Sequence, residues 1–405
     1  MKYFITGDSV LKWLETPSVY NIETDELYGL DYEAFEFLKN CSSGRGSTVK
    51  NGEFTDYCLK EGILTGRKIS VRRPPLIKSP VPSLRYLELQ ITNRCNLKCK
   101  HCYIADKSFT EIPVSRIKKI LQEFERLQGL RVLITGGEPL LHGKFEEINR
   151  ILPMFSVRKV LFTNGTLLNK TLLRKLNIDE IQISIDGLKQ SHDLLRGRGA
   201  FKRAMDTLKN AIDLNFAVSV STMIHAENLG DFDEMKKLFK SMGIKEWNVD
   251  VPCITGRLKN HIEFQVPPHT AGRYLKYGFG GGIHSGEPGF ACGLHLMAVS
   301  ADGKAAKCSF YFDRPAGLIK EGIKKCRQKI KPVSLNELMC SCDHIESCRG
   351  GCRYRAELLG NPEGKDLYKC IYYDIIKKTQ KEVIIMKIKK AAKKASITCK
   401  CKSSC

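Results

Sequence analysis

Three cysteines, Cys95, Cys99 and Cys102, follow directly on a strand-like run at residues 86–91. A CxxxCxxC set brings three thiolates within reach of one iron–sulfur cluster and leaves one iron without a protein ligand, where a small molecule can bind. A structural zinc knot is the alternative, but zinc sites prefer CxxC pairs and four protein ligands. A second cysteine set lies at 292–370. Cys292 is followed by Gly303-x4-Cys308, then Cys340-x-Cys342-x5-Cys348-x3-Cys352, with seventeen residues between Cys352 and Cys370. The chain holds 17 cysteines, and residues 1–8 lack the apolar stretch of an export signal. Metal or cluster ligation therefore accounts for the cysteines better than disulfides do. No run of 18 apolar residues is present, so the expectation is a cytoplasmic protein with no membrane partner.

The elements that must position these cysteines follow from the periodicity. Runs at 86–91, 131–135, 159–163, 180–185, 217–223 and 246–251 read as strands, with helical patterns between them at 114–128, 201–215 and 232–242. Six βα units predict an α/β fold, a partial parallel (β/α)6 barrel with its chemistry at the C-terminal ends of the strands. Gly136-Gly137-Glu138-Pro139 ends the second strand; its glycines permit close backbone approach to a ligand, and Glu138 can receive an ammonium group. Asn164 ends the third strand and Ser184 and Asp186 the fourth, with Arg196 ten residues on.

The text Ile91-Thr-Asn-Arg-Cys-Asn-Leu-Lys-Cys-Lys-His-Cys-Tyr103, followed by GGEP one βα unit later, resembles the radical S-adenosylmethionine (radical SAM) enzymes. The resemblance implies one [4Fe–4S] cluster on Cys95, Cys99 and Cys102. Its open iron would bind SAM, and reductive cleavage would yield a 5′-deoxyadenosyl radical. It also implies SAM contacts from Tyr103 near adenine, Gly136, Gly137 and Glu138 at the amino group, Asn164, Ser184 and Asp186 at polar atoms, and Arg196 at the carboxylate. An electron donor such as flavodoxin or ferredoxin and an anaerobic host are further implications.

The second cysteine set resembles the SPASM domain, a twin-cluster module of radical SAM enzymes that act on peptides and proteins. By that resemblance Cys340, Cys342, Cys348 and Cys370 would hold one auxiliary [4Fe–4S] cluster, and Cys292, Cys308 and Cys352 the other. The sequence departs from the family where Met339 replaces the first cysteine of a CxxC pair, and where Ala298 stands at a position that supplies a fourth ligand in some relatives. The second of these clusters is thus either open to a substrate thiolate or completed by Cys326 or Cys253.

Residues 1–72 carry a hairpin-like pair of runs at 19–22 and 26–30, then helical patterns at 32–38 and 55–60. They resemble the small winged-helix domain that recognises leader peptides in natural-product maturases and in pyrroloquinoline quinone biosynthesis. The expected division is 1–72 leader recognition, 73–85 a proline-rich linker, 86–280 the radical SAM domain, 281–376 the Cys-rich SPASM domain and 377–405 a basic tail. The formal charge of +22 is uneven: the tail holds ten lysines against Glu382 alone. No aromatic-interleaved basic motif accompanies it, so nucleic acid is not the expected partner.

The implied function is oxidative modification of a ribosomally made precursor peptide, as a thioether or carbon–carbon crosslink. The alternatives are a SPASM enzyme oxidising a protein residue, one acting in cofactor biosynthesis, or a non-enzymatic iron–sulfur electron carrier.

Overall fold

A computed structural model describes residues 2–48, 52–104, 109–282 and 289–376. The tail at 377–405, with Cys399, Cys401 and Cys405, lies outside the described residues. The N-terminal unit holds β1 (Lys2–Ile5), β2 (Ser9–Trp13), β3 (Pro17–Asn21), β4 (Leu27–Gly29), β5 (Ser47–Thr48) and β6 (Leu64–Thr65). They form two antiparallel sheets, β2-β3-β4 and β5-β1-β6, with helices Tyr32–Cys41 and Gly52–Lys60. The expected hairpin is β3–β4. The strands β1 and β2 were not among the expected runs.

The main sheet carries the six expected strands: β7 (Tyr86–Thr92), β8 (Arg131–Gly136), β9 (Arg158–Thr163), β10 (Glu180–Ser184), β11 (Ala217–Met223) and β12 (Glu246–Asp250). All neighbours in this series pair in parallel. Beyond β7 the sheet continues into β13 (Leu296–Val299), β14 (Lys304–Ala306) and β15 (Gly317–Leu318), giving the order β12-β11-β10-β9-β8-β7-β13-β14-β15. The strand β13 runs parallel to β7, and β14 and β15 are antiparallel additions. The cysteine-rich segment thus shares a sheet with the strands that precede it.

Period-two burial decides which side chains reach the mouth of this sheet. On β7, Leu87, Leu89 and Ile91 join the main core with Ile117, Leu121 and Phe124 of the helix Val114–Arg126. The alternating residues Glu88 and Gln90 therefore face the other side, toward the concave interior. At the far end of the sheet Trp247 is wholly buried, donates from Nε1 to Thr222 Oγ1 at 2.8 Å and stacks on Phe232.

The N-terminal unit docks against the N-terminal ends of β8 and β9. Val10, Leu14, Tyr20 and Ile22 enclose Leu130, and buried Lys12 donates to the Gly129 carbonyl at 2.7 Å. Arg131 pairs with Asp25, and Arg158 donates to the Ile22 and Glu23 carbonyls at 2.5 and 2.8 Å. Trp247→Ala removes the largest buried side chain of the β12 end. It is expected to cost about 3–5 kcal/mol, read as a lower denaturant midpoint. An unchanged midpoint would contradict its place in the core.

Candidate active site at the mouth of the sheet

The cysteine loop begins where β7 ends, and it is built onto the segment after β8. Gly137 N donates to Thr92 O at 2.9 Å and Glu138 N to Arg94 O at 2.7 Å. A Cβ on Gly136 would stand 2.5 Å from Thr92 O, and one on Gly137 2.3 Å from Arg94 O. The two glycines are thus required by the backbone of the cysteine loop itself, a protein contact that the spacing alone did not reveal.

Cys95, Cys99 and Cys102 share one electrostatic neighbourhood at this loop. Burial pushes the Cys95 thiol up to about 11. Asn164 Nδ2 stands 3.9 Å from Cys95 Sγ, and Arg196 Nη1 4.0 Å from Cys99 Sγ. Among the described residues no three His, Cys, Asp or Glu side chains are gathered as one metal ion would need. A four-iron cluster spreads its thiolates around a cube, and three soft thiol donors beside a guanidinium fit such a group.

Glu138 is fully buried. Its Oε1 accepts from Thr163 Oγ1 and its Oε2 from Asn164 N, both at 2.9 Å. Burial outweighs these bonds and pushes the carboxyl up to about 7. A ligand ammonium would restore the charged form. Asn164 also donates to Asn96 Oδ1 at 3.0 Å, fixing the loop between the cysteines. Asp186 is wholly buried: Oδ1 accepts from Met223 N at 2.7 Å and Oδ2 from Arg196 Nε at 2.5 Å. Its carboxylate is committed to positioning Arg196, whose charge holds it well below the usual carboxylate range despite burial. Ser184 closes β10 beside Ser221.

Tyr103 turns toward the C-terminal segment, its ring centroid 5.6 Å from that of Phe310. There it meets Glu88, which sequence reasoning missed. Glu88 is hydrogen-bonded to Ser309 and Tyr103, and burial pushes it up to about 7. A glutamate inside a hydrophobic strand run, on the face opposite Leu87 and Leu89, is the signal that could have found it. His101 approaches Asp186 at 3.9 Å, but burial pulls it down to about 4, so it is neutral at pH 7. Gln90, Tyr103, Thr255, Ser309, Phe310 and Tyr354 line one cavity that joins the cysteine loop to the C-terminal segment.

Seven further cysteines fall into two groups. Cys340, Cys342, Cys348 and Cys370 line a common small cavity of about 20 Å³. Cys340 therefore reaches the group despite the missing CxxC spacing, and Met339 is left exposed. Cys292, Cys308 and Cys352 neighbour one another beside Tyr311 and Tyr354. Among the described residues all cysteines are free thiols.

The sequence profile of the radical SAM superfamily matches residues 89–239. An AdoMet-dependent heme synthase of Oleidesulfovibrio alaskensis is 27% identical over 46% of this chain and 50% of its own length. A putative glycyl-radical enzyme activating enzyme of Methanocaldococcus jannaschii is 31% identical over 44% of this chain and 70% of its own. The sporulation killing factor maturation protein SkfB of Bacillus subtilis is 34% identical over 36% of this chain and 37% of its own. The chain spans about half the length of the first curated relatives it matches. Among solved structures, Streptococcus suis SuiB bound to precursor peptide SuiA aligns with a TM-score of 0.65 at 14% identity, over 91% of this chain and 100% of SuiB. A likeness at that identity establishes the fold.

Gly137→Ala would drive a Cβ into the Arg94 carbonyl and push the cysteine loop away from β8. The expected result is a loss of about 2–4 kcal/mol in stability. A lowered iron content after anaerobic reconstitution should accompany it. Wild-type stability and iron content in this variant would refute the packing argument.

Proposed function

The chain belongs to the radical SAM superfamily, and from that premise we propose that it oxidatively modifies a ribosomally made precursor peptide. The observation that carries this reading is the cavity between Tyr103 of the cysteine loop and Phe310 and Tyr354 of the C-terminal segment. A substrate there would lie between the three-cysteine loop and the further cysteines. The names of SkfB and of the SuiB–SuiA complex support a peptide as the substrate class.

Bound at Cys95, Cys99 and Cys102, a [4Fe–4S] cluster with SAM supplies reductive generation of a 5′-deoxyadenosyl radical. The chain's own residues would bind and orient. Glu138, steadied by Thr163 and Asn164, receives the ammonium of SAM, and Arg196, steadied by Asp186, attracts its carboxylate. Gly136 and Gly137 hold the cysteine loop in place, while Ser184 and Tyr103 flank the site. Cys340, Cys342, Cys348 and Cys370 would hold one auxiliary cluster, and Cys292, Cys308 and Cys352 would contribute to the other.

Residues 1–72 would bind the leader. The short strand β4 is at one edge of its sheet, and an added peptide strand there would use its unpaired backbone groups. The proposed product is a thioether or carbon–carbon crosslink, with flavodoxin or ferredoxin as electron source and the cytoplasm as location. No helix among the described residues is long and apolar enough to cross a membrane.

The deciding experiment is mass spectrometry of a short peptide encoded beside this gene, co-produced anaerobically with the wild-type chain or with a Cys95/Cys99/Cys102→Ala variant. The expected outcome is loss of two hydrogens that depends on those cysteines. An unchanged peptide despite 5′-deoxyadenosine formation would refute the assigned substrate and favour a protein or small-molecule one.

The position of Glu138 near neutrality gives a second test. Its charged form, which an ammonium ligand favours, is lost as pH falls through about 7. SAM affinity should therefore weaken by up to about tenfold per pH unit below that point, beyond any change seen in Glu138→Gln. Equilibrium dialysis giving the same slope for both proteins would remove Glu138 from this role.

A further inference from the structure

The cysteine at position 253 belongs to no spacing motif, yet the fold delivers it to the group of Cys292, Cys308 and Cys352. It follows β12, at the C-terminal end of the sixth parallel strand, and is 4% exposed. It packs in one small cluster with Ala306, Tyr311 and Tyr354, against which Cys308 and Cys352 also pack. Its thiol neighbours that of Cys352.

A buried clamp sets this meeting. Arg355 donates from Nη1 to Asp250 Oδ1 at 2.5 Å, at the end of β12, and from Nε and Nη2 to Asp366 Oδ2 at 3.1 and 2.9 Å. That same Asp366 oxygen accepts from Cys352 N at 2.7 Å. One guanidinium therefore locks the strand end before Cys253 to the backbone of Cys352. The other two candidate positions are used elsewhere. Cys326 is in the main core with its thiol donating to Leu318 O at 3.3 Å, and Ala298 is paired with Ala306 inside the sheet.

We propose that Cys253 is the fourth thiolate ligand of the auxiliary cluster held by Cys292, Cys308 and Cys352, so that the protein ligates every iron of that cluster. This rests on the cluster assignment made above. Four soft donors in an apolar, tyrosine-lined wall suit a cluster better than an inert core thiol, since Cys253 meets a second thiol where a backbone carbonyl would satisfy it. The consequence concerns the substrate: a closed cluster offers no iron to a peptide thiolate, so a reacting cysteine must be held by the cavity residues alone. The same loop also braces the three-cysteine site. Arg257 N donates to Cys102 O at 2.9 Å, and a Cβ on Gly256, at φ +52°, would stand 2.3 Å from that oxygen.

The test uses the full chain in a Cys95/Cys99/Cys102→Ala background, reconstituted anaerobically, with no peptide or SAM present. Iron per chain and the EPR spectrum of the reduced protein are read before and after adding 2-mercaptoethanol. With Cys253 intact, the spectrum should not move on adding thiol. Cys253→Ala should lose between one and four of about eight irons, or keep a cluster whose spectrum shifts with added thiol. Cys253→Ser, which conserves size, should shift the spectrum even where the iron is retained, and Cys326→Ser should match its parent. A thiol-induced shift with Cys253 intact would overturn the proposal, as would Cys253→Ala with full iron and an unmoved spectrum. Because no substrate enters the measurement, failure of the peptide reading leaves the result standing. A parent without auxiliary iron would overturn both the ligand and the cluster assignment.

Discussion

The contact between the backbone of Gly136–Glu138 and that of Thr92–Arg94 is the constraint on which the mouth of the sheet depends. Two parallel strands normally diverge into separate loops once their ladder ends. Here the ladder is prolonged by two further bonds, Gly137 N to Thr92 O and Glu138 N to Arg94 O. The prolongation leaves no room for a Cβ on either glycine. In return it places Glu138 beneath the cysteine loop, where Thr163 and the Asn164 backbone take both of its oxygens. Asn164 then reaches Asn96 and approaches Cys95. Three consecutive strand ends are thereby fixed to one loop.

Buried charge performs the same service on either side. Buried Asp186 anchors Arg196 near Cys99, and buried Arg355 joins the exposed Asp250 to buried Asp366 near Cys352 and Cys253. Taking such groups from water is costly, and each is tolerated because its partners satisfy it almost completely. These pairs are positioning devices more than sources of stability. They hold long side chains in place where a thiolate-rich site needs a compensating positive charge.

A few of the chain's basic residues are likewise used inside the protein. Arg131 and Arg158, the first residues of β8 and β9, reach Asp25 and the Ile22 and Glu23 carbonyls of the N-terminal unit, while Lys12 reaches back to Gly129. The N-terminal unit is therefore fastened at the end of the sheet opposite the cysteine loop. A peptide held by both would have to run the length of the strands.

The order of six βα units, the cysteine loop and the GGEP segment were legible in the sequence, because strand periodicity, cysteine spacing and paired glycines are local signals. What the glycines approach was not legible, since a close backbone contact looks the same in sequence whether its partner is a ligand or a neighbouring loop. Nor was the joining of β13 to β7, which pairs residues about 210 positions apart. The roles of Glu88 and Cys253 also waited for the fold: each is a single residue without a spacing partner, and only the convergence of strand ends brings Glu88 to Tyr103 and Cys253 to Cys352. Local chemistry was written along the chain; which thiols and carboxyls meet was decided by where parallel strands end.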